Sequence, residues 1–212
     1  MNSYDGFFTS SPGLAAYFEQ EFSIHSSVIL NVRNSNPLPR PKMKRIGFFG
    51  RIRDHDAMVL LVESCKQIGF NPIFAGDGPS VNRLIERYPD IDYRGQFDEK
   101  KLSELMTEID VMYAMYNPEK ENIRLGALPV KMFDAAAFGR PTVTTAGVPM
   151  GDFCIEHRLG TVASFGNADS VADAIKDAYE LDVATKQTEE DERTKFMSAV
   201  ESILGTRKEA SH

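Results

Sequence analysis

The chain has 212 residues, 42% of them hydrophobic and 26% charged, enough to bury a sizeable core and unlike a disordered protein. A net charge of −7 and a pI near 5.2 argue against a nucleic-acid scaffold but leave room for a local basic pocket that takes a small anion. The length fits one large domain, or one domain with part of a second.

The opening MNSYDGFF lacks the basic-then-apolar order of a signal peptide, and no apolar run reaches membrane-spanning length. Cys65 and Cys154 both sit in apolar surroundings, so reduced core thiols of a cytoplasmic protein are expected. Four scattered histidines and these cysteines form no metal-ligand spacing.

In chain order, residues 5–9 read as a strand, and Ser11-Pro12 opens a helix lined by Leu14, Tyr17, Phe18 and Phe22. Residues 27–31 are a second strand candidate. Pro37, Pro39 and Pro41 then make residues 32–43 an extended linker. From residue 44 the pattern is regular. Strands are expected at 45–50, 71–76, 91–95, 110–116, 142–145 and 161–164. Between them, Met58-Leu61-Val62-Cys65, Val81-Leu84-Ile85-Tyr88, Leu102-Leu105-Met106-Ile109 and Val171-Ile175-Ala178 repeat at helical spacing.

The stretch 126–145 reads GALPVKMFDAAAFGRPTVTT. Pro129 suits the first turn of a helix, Val130, Phe133 and Ala137 share a face, Gly139 ends it, and Arg140-Pro141 leads into an apolar strand. Lys131 and Asp134 lie one turn apart on the neighbouring face. At such a helix start a phosphate would sit against the lysine and the N-terminus, and the carboxylate would accept from ribose hydroxyls. The same two residues also fit a solvated surface pair. Residues 183–212 are read as an acidic segment, Glu189 to Glu192, an amphipathic helix with Phe196, Val200, Ile203 and Leu204, and a frayed tail from Thr206.

Apolar strands alternating with helices predict an α/β fold, a doubly wound parallel sheet over residues 44–182. Ligands bind such sheets beyond the carboxyl ends of the strands. Four loops there carry signals: Gly50-Arg51-Ile52-Arg53, Gly76-Asp77-Gly78, Arg94-Gly95-Gln96, and the helix with Lys131 and Asp134. Glycines let backbone approach a ligand and arginines offer forked donors to phosphate. Each has a plain explanation alone; four on one edge favour a ligand site. Asp54-His55-Asp56 has the form of a metal motif, but it opens a helix, where carboxylates cap anyway. His157 is expected to be structural or solvated rather than catalytic, and Gly147-Val148-Pro149-Met150-Gly151 reads as a loop that closes the cleft or merely connects.

This order of motifs resembles the Rossmann-like, nucleotide-sugar-binding C-terminal half of GT-B glycosyltransferases of family 4, or group 1. It runs from Gly50-Arg51 through Gly76 to Pro79, Gly95, the Asp110 strand and the block PVKMFDAAAFGRPTVTT, and the likeness covers residues 4–181. The resemblance implies that Gly50 and Arg51 face a donor diphosphate, Asp134 holds the ribose, and the Arg94–Gln96 turn lies against the base, mostly through backbone groups. Lys131 would approach the phosphates, and Arg51 and Lys131 would stabilise the leaving group electrostatically. The donor would be a UDP or GDP sugar, with hexosyl transfer, no metal and no other cofactor, in polysaccharide biosynthesis.

Two departures stand out. Where the family has a glutamate that touches the sugar, eight residues before Asp134, this chain has Gly126, with Glu119, Glu121 or Arg124 nearby as substitutes. Where many members carry a lysine after Gly-Arg there is Asp56, so Arg53 or Lys131 would supply the charge. Residues 1–31 match only the last strand and helix of an N-terminal GT-B domain. An acceptor-binding domain or separate subunit is therefore expected as partner, with peripheral membrane contact through that half. A nucleotide-sugar epimerase and a non-catalytic docking subunit remain the alternative readings.

Overall fold

The computed structural model describes residues 6–183 and 188–209, with side chains as far as residue 204. A small strand–helix–strand unit comes first: β1 (Phe8–Thr9), α1 (Pro12–Phe22) and β2 (Ser27–Val28), the two strands pairing in parallel. Ser11 caps α1 by accepting from Leu14 N at 3.2 Å, Pro12 takes the first turn, and Ser23 ends the helix at φ 54°. No side chain of α1 is buried. Tyr17, Phe18 and Phe22 pack mainly on one another, and Phe22 is 56% exposed.

The main sheet follows. Its strands are β3 (Arg45–Phe49), β4 (Asn71–Ala75), β5 (Asp92–Tyr93), β6 (Val111–Ala114), β7 (Thr142–Thr145) and β8 (Gly160–Ala163). They lie in the order β5-β4-β3-β6-β7-β8, every pair parallel. Parallel strands need crossovers, and those here are the helices α2 (His55–Ile68), α3 (Val81–Arg87), α4 (Glu99–Thr107), α5 (Glu121–Arg124), α6 (Val130–Ala137) and α7 (Pro149–Glu156), while α8 (Ala168–Glu180) follows the last strand and packs back on the sheet. Met58, Leu61, Leu84 and Ile175 of α2, α3 and α8 pack with Phe48 on one face. Met106 of α4 packs with Phe49 on the other, where α6 and α7 meet through Met132, Phe133 and Phe153. Chain order reverses between β3 and β6. Their successor helices leave to opposite faces, which opens a crevice at the carboxyl ends of these two strands.

The local expectations differ from the structure in a few places. The 147–151 stretch is not a plain loop: Pro149 starts α7, and the Cβ that Gly151 lacks would stand 2.3 Å from Thr145 O. That glycine permits close helix–strand packing rather than breaking the helix. Residues 121–124, expected as loop, form the short α5. Val130 is 50% exposed and does not join Phe133 and Ala137 in the core. Asp5, expected in β1, lies outside the described residues. The C-terminal helix α9 (Glu189–Glu209) begins at the acidic segment itself, as carboxylates at a helix N-terminus favour, and includes residues 206–209 of the expected frayed tail. Residues 210–212 lie outside the described part.

The proline-rich stretch is extended and tightly bonded. Asn36 N and Leu38 N donate to Ala137 O and Phe138 O at the end of α6. Arg140, fully buried, donates to Leu38 O and Pro39 O at 2.8 Å, Met106 O at 3.0 Å and Phe138 O at 3.2 Å. Buried Asp110 accepts from the backbone of Lys42, Met43 and Arg45, fixing the turn into β3. Helix α9 then returns to the first unit. Glu192 Oε2 accepts from Leu30 N at 2.8 Å, Phe196 packs on Phe8, and Ile203 fills the space beside Gly6. Arg140→Met removes the donors for four carbonyls at once, so chemical denaturation should show a loss of about 3 kcal/mol or more. Arg140→Lys, which cannot fork, should recover only part of it.

Candidate functional site

The loops after β3 and β4 are built against each other. Gly50 N donates to Ala75 O at 2.9 Å, Ile52 N to Asp77 O at 2.6 Å, and Ser80 N to Ile52 O at 3.1 Å. A Cβ on Gly76 would stand 1.9 Å from Gly50 O, and one on Gly78 would stand 2.2 Å from Ile52 O. These two glycines therefore serve loop–loop packing, and the backbone they admit is the protein's own. Gly50 is different: its missing Cβ faces the Lys131 ammonium at 3.5 Å.

Arg51 is half exposed and lies 3.8 Å from Asp77 Oδ1, while Gln96 Nε2 reaches Asp77 Oδ2 at 3.4 Å. These three converge on one rim, and Arg53 is exposed and close enough to Tyr116 to act on it as a charge. The Arg94 side chain turns away. It pairs with Asp92 and, at 2.9 Å, with Glu108, which also takes Arg45 from the opposite end of β3. Its own backbone N–H donates to Phe74 O, and Gly95 O accepts from Gly76 N.

Lys131 and Asp134 share a helix but do not pair with each other. The Lys131 Nζ lies 3.5 Å from the centroid of the Phe48 ring and 5.5 Å from that of Tyr116. Among the described residues it has no ion-pair partner or hydrogen-bond acceptor. Burial lowers its pKa to about 7, with Asp134 opposing only as a more distant charge. Tyr116 stands at the end of β6, its backbone held on both sides by the Thr145 hydroxyl, and burial pushes its phenol up to about 12. Asp134 Oδ1 accepts from Arg33 Nε at 2.8 Å, and Arg33 Nη1 reaches Glu99 at 3.0 Å. Burial raises the Asp134 pKa, and Arg33 holds it back.

Gly126 has a steric explanation. It sits at φ 94°, and a Cβ there would be 2.7 Å from Gly13 Cα and 3.3 Å from Pro149 Cβ. The start of α1 occupies the place a carboxylate side chain would need. Asp54 caps α2 through Ala57 N at 3.2 Å and pairs with Lys120 at 2.7 Å. No group of three or more metal-type ligands occurs among the described residues. His55 is buried in the first turn of α2, and His157 stacks on Phe153.

The family described as "Glycosyl transferases group 1" matches residues 43–180, most of the chain. The chain belongs to the group 1 glycosyltransferases. Solved structures share the fold at low identity. TarM is 16% identical with a TM-score of 0.64, over 98% of this chain and 43% of its own. Sucrose-phosphate synthase from Thermosynechococcus elongatus is 16% identical with a TM-score of 0.60, over 99% and 58%. The pneumococcal O-GlcNAc transferase GtfA, solved with UDP and GlcNAc, is 15% identical with a TM-score of 0.56, over 97% and 44%. This group 1 chain thus spans between 43% and 58% of the length of these three. No curated protein matches it. Among the described residues no helix is long and apolar enough to cross a membrane.

Several residues of the crevice escaped the sequence reading. Arg33 lies in a proline-rich stretch with no periodicity, so nothing local marks its partner 101 positions away. Tyr116 and Phe48 read as ordinary strand residues, and their rings meet Lys131 only through the tertiary fold.

Two outcomes follow from these contacts. Lys131 titrates near 7 when folded and near about 10.4 when unfolded. Between those values the unfolded chain binds more protons, so this group makes stability rise with pH above 7 and lowest below it. Lys131→Met should remove that slope and leave the ligand-free protein more stable than wild type at pH 6, read by urea denaturation at pH 6 and 9. Gly126→Glu should cost about 2 kcal/mol or more through a strained φ and a backbone collision, and should expose α1 to limited proteolysis.

Proposed function

We propose that this group 1 glycosyltransferase chain binds a UDP or GDP sugar in the crevice between β3 and β6 and transfers the sugar, a hexose, to an acceptor held elsewhere. The observation that carries this reading is the Lys131 ammonium. It is drawn into the protein at the carboxyl end of the central strands, beside a glycine, with no carboxylate of the described residues paired to it. A cation so placed is costly unless an anion joins it. Arg51 stands on the same rim, so a diphosphate can bridge the two.

As the sugar–oxygen bond breaks, negative charge grows on the departing nucleoside diphosphate. Lys131 and Arg51 stabilise it from fixed positions, which is where the catalytic effect arises. Asp134 Oδ2, which no described side chain or backbone group engages, accepts from the ribose. The base lies toward Gln96 and the half-buried Phe97, which packs on Phe49. Nothing at Gly126 grips the sugar, so Glu119 and Glu121 on the exposed loop are the candidates for that task. The acceptor half is a further domain or subunit, which would cover the aromatic face of α1 and could bring the assembly to a membrane surface. The buried, free Cys65 and Cys154 suit a reducing cytoplasmic setting.

Titration calorimetry with UDP and GDP tests the donor site. One of the two should bind below millimolar, and its affinity should fall from pH 7 to pH 9 as Lys131 loses its proton, since nucleotide phosphates stay ionised over that range. Lys131→Met should weaken binding about tenfold or more and flatten the pH dependence. Failure of both nucleotides to bind, or a Lys131→Met variant that binds as wild type does, defeats the reading. The non-catalytic docking alternative is favoured by the unburied α1. It predicts nucleotide binding without any release of UDP or GDP from the sugar donor when an acceptor-binding half is present.

A further inference from the structure

We propose that Arg33 is a positioning residue for the donor site: it orients the Asp134 carboxylate so that one oxygen is held and the other is presented to the nucleotide ribose. The proposal rests on the donor-site reading above and adds to it a residue outside the Rossmann-like sheet.

Arg33 Nε donates to Asp134 Oδ1 at 2.8 Å. An Nε–H has one direction, so this single bond fixes the rotation of the carboxylate and leaves Oδ2 without a partner among the described residues. A second nitrogen, Nη1, donates to Glu99 Oε1 at 3.0 Å, at the first turn of α4. Arg33 thus bridges the two helices, α4 and α6, whose N-termini flank the expected nucleoside position. The Asp134 side chain is only 15% exposed and that of Arg33 29%, so the contact is less screened than a surface pair.

The backbone around Arg33 is held on both sides. Leu30 N donates to Glu192, Asn34 and Glu189 exchange side-chain and backbone bonds at 3.1 and 3.2 Å, and Asn36 N donates to Ala137 O at 2.8 Å. A side chain mounted on such a segment is a fixed support. A placeholder that a ligand must push aside would need slack, and none is built in. The charged groups facing Asp134 are Arg33, Glu99 and Lys131. Of these only Arg33 hydrogen-bonds to it, offsetting the burial that favours the neutral acid. An ionised carboxylate with a free oxygen is the form that accepts from a hydroxyl pair.

Calorimetry at pH 7.5 with UDP and GDP, each compared with its 2′,3′-dideoxy form, reads this role directly. Wild type should prefer the ribonucleotide by about tenfold or more, because the dideoxy form leaves the Asp134 oxygen unpaired. Arg33→Gln should lose most of that preference while binding the dideoxy form within about twofold of wild type, and Asp134→Asn should behave alike. An Arg33→Gln protein that keeps the full preference, or that binds the ribonucleotide more tightly, overturns the proposal. If wild type binds a nucleotide but shows no ribose preference, the assignment of Asp134 fails first and Arg33 falls with it. If wild type binds neither nucleotide, the donor-site reading itself is wrong. Thermal melts check folding. If Arg33→Gln does not fold, Arg33→Lys keeps the charge without the forked geometry and should lose an intermediate share of the preference, whereas an undiminished one overturns the proposal.

Discussion

A buried guanidinium sets the geometry of much of this molecule. Arg140 stands between the end of α6 and the start of β7 and donates to carbonyls of the linker, of α4 and of its own turn. Carbonyls buried without donors are costly, so the proline-rich chain can follow only a path that presents Leu38 O and Pro39 O to Arg140. Asp110 does the complementary work a few residues on, accepting from the backbone of Lys42, Met43 and Arg45. With both anchors in place, the chain entering from β2 is laid along α6. That path brings Arg33 to Asp134.

The crevice has an uneven charge arrangement. Asp134 has a cation hydrogen-bonded to one oxygen, whereas Lys131, one turn earlier, has two aromatic rings and no anion among the described residues. Ring faces attract an ammonium, yet they do not replace the water it gives up, and its pKa falls toward 7. A site with a carboxylate balanced by an arginine and a cation with no counter-charge among the described residues, at the end of the central strands, is arranged to receive negative charge. On the proposed reading, α4, α6 and the linker hold the nucleoside side, and β3, with its following loop, faces the phosphates.

Glycine carries different meanings around the same rim. Gly76 and Gly78 make room for the neighbouring loop, Gly50 makes room for the Lys131 ammonium, and Gly126 makes room for the backbone of Gly13. In the last case the requirement is reciprocal, since a Cβ on Gly13 would stand 2.8 Å from Gly126 Cα. The first unit is therefore seated against the loop that precedes α6, and that contact leaves no space for the carboxylate the family usually places there. Its aromatic face stays open on the far side.

The succession of apolar runs and helical repeats from residue 44 onward contained the parallel α/β architecture, because period and β-branched content reflect burial on two faces. It also located the functional edge, since the carboxyl ends of parallel strands follow from chain direction alone. Pro129, Gly139 and Asp54 announced their caps through local chemistry that needs no partner elsewhere. What the sequence could not contain was which charges meet. Lys131 and Asp134 are neighbours on a helix and read as a pair, yet one turns to Phe48 and the other to Arg33. The turn at Arg94 read as facing a base through its backbone, and where its side chain goes, to Asp92 and Glu108, had no local sign. Periodicity fixes the face on which a side chain lies, whereas long cationic side chains choose among partners brought near by folding, and only the tertiary structure decides that choice.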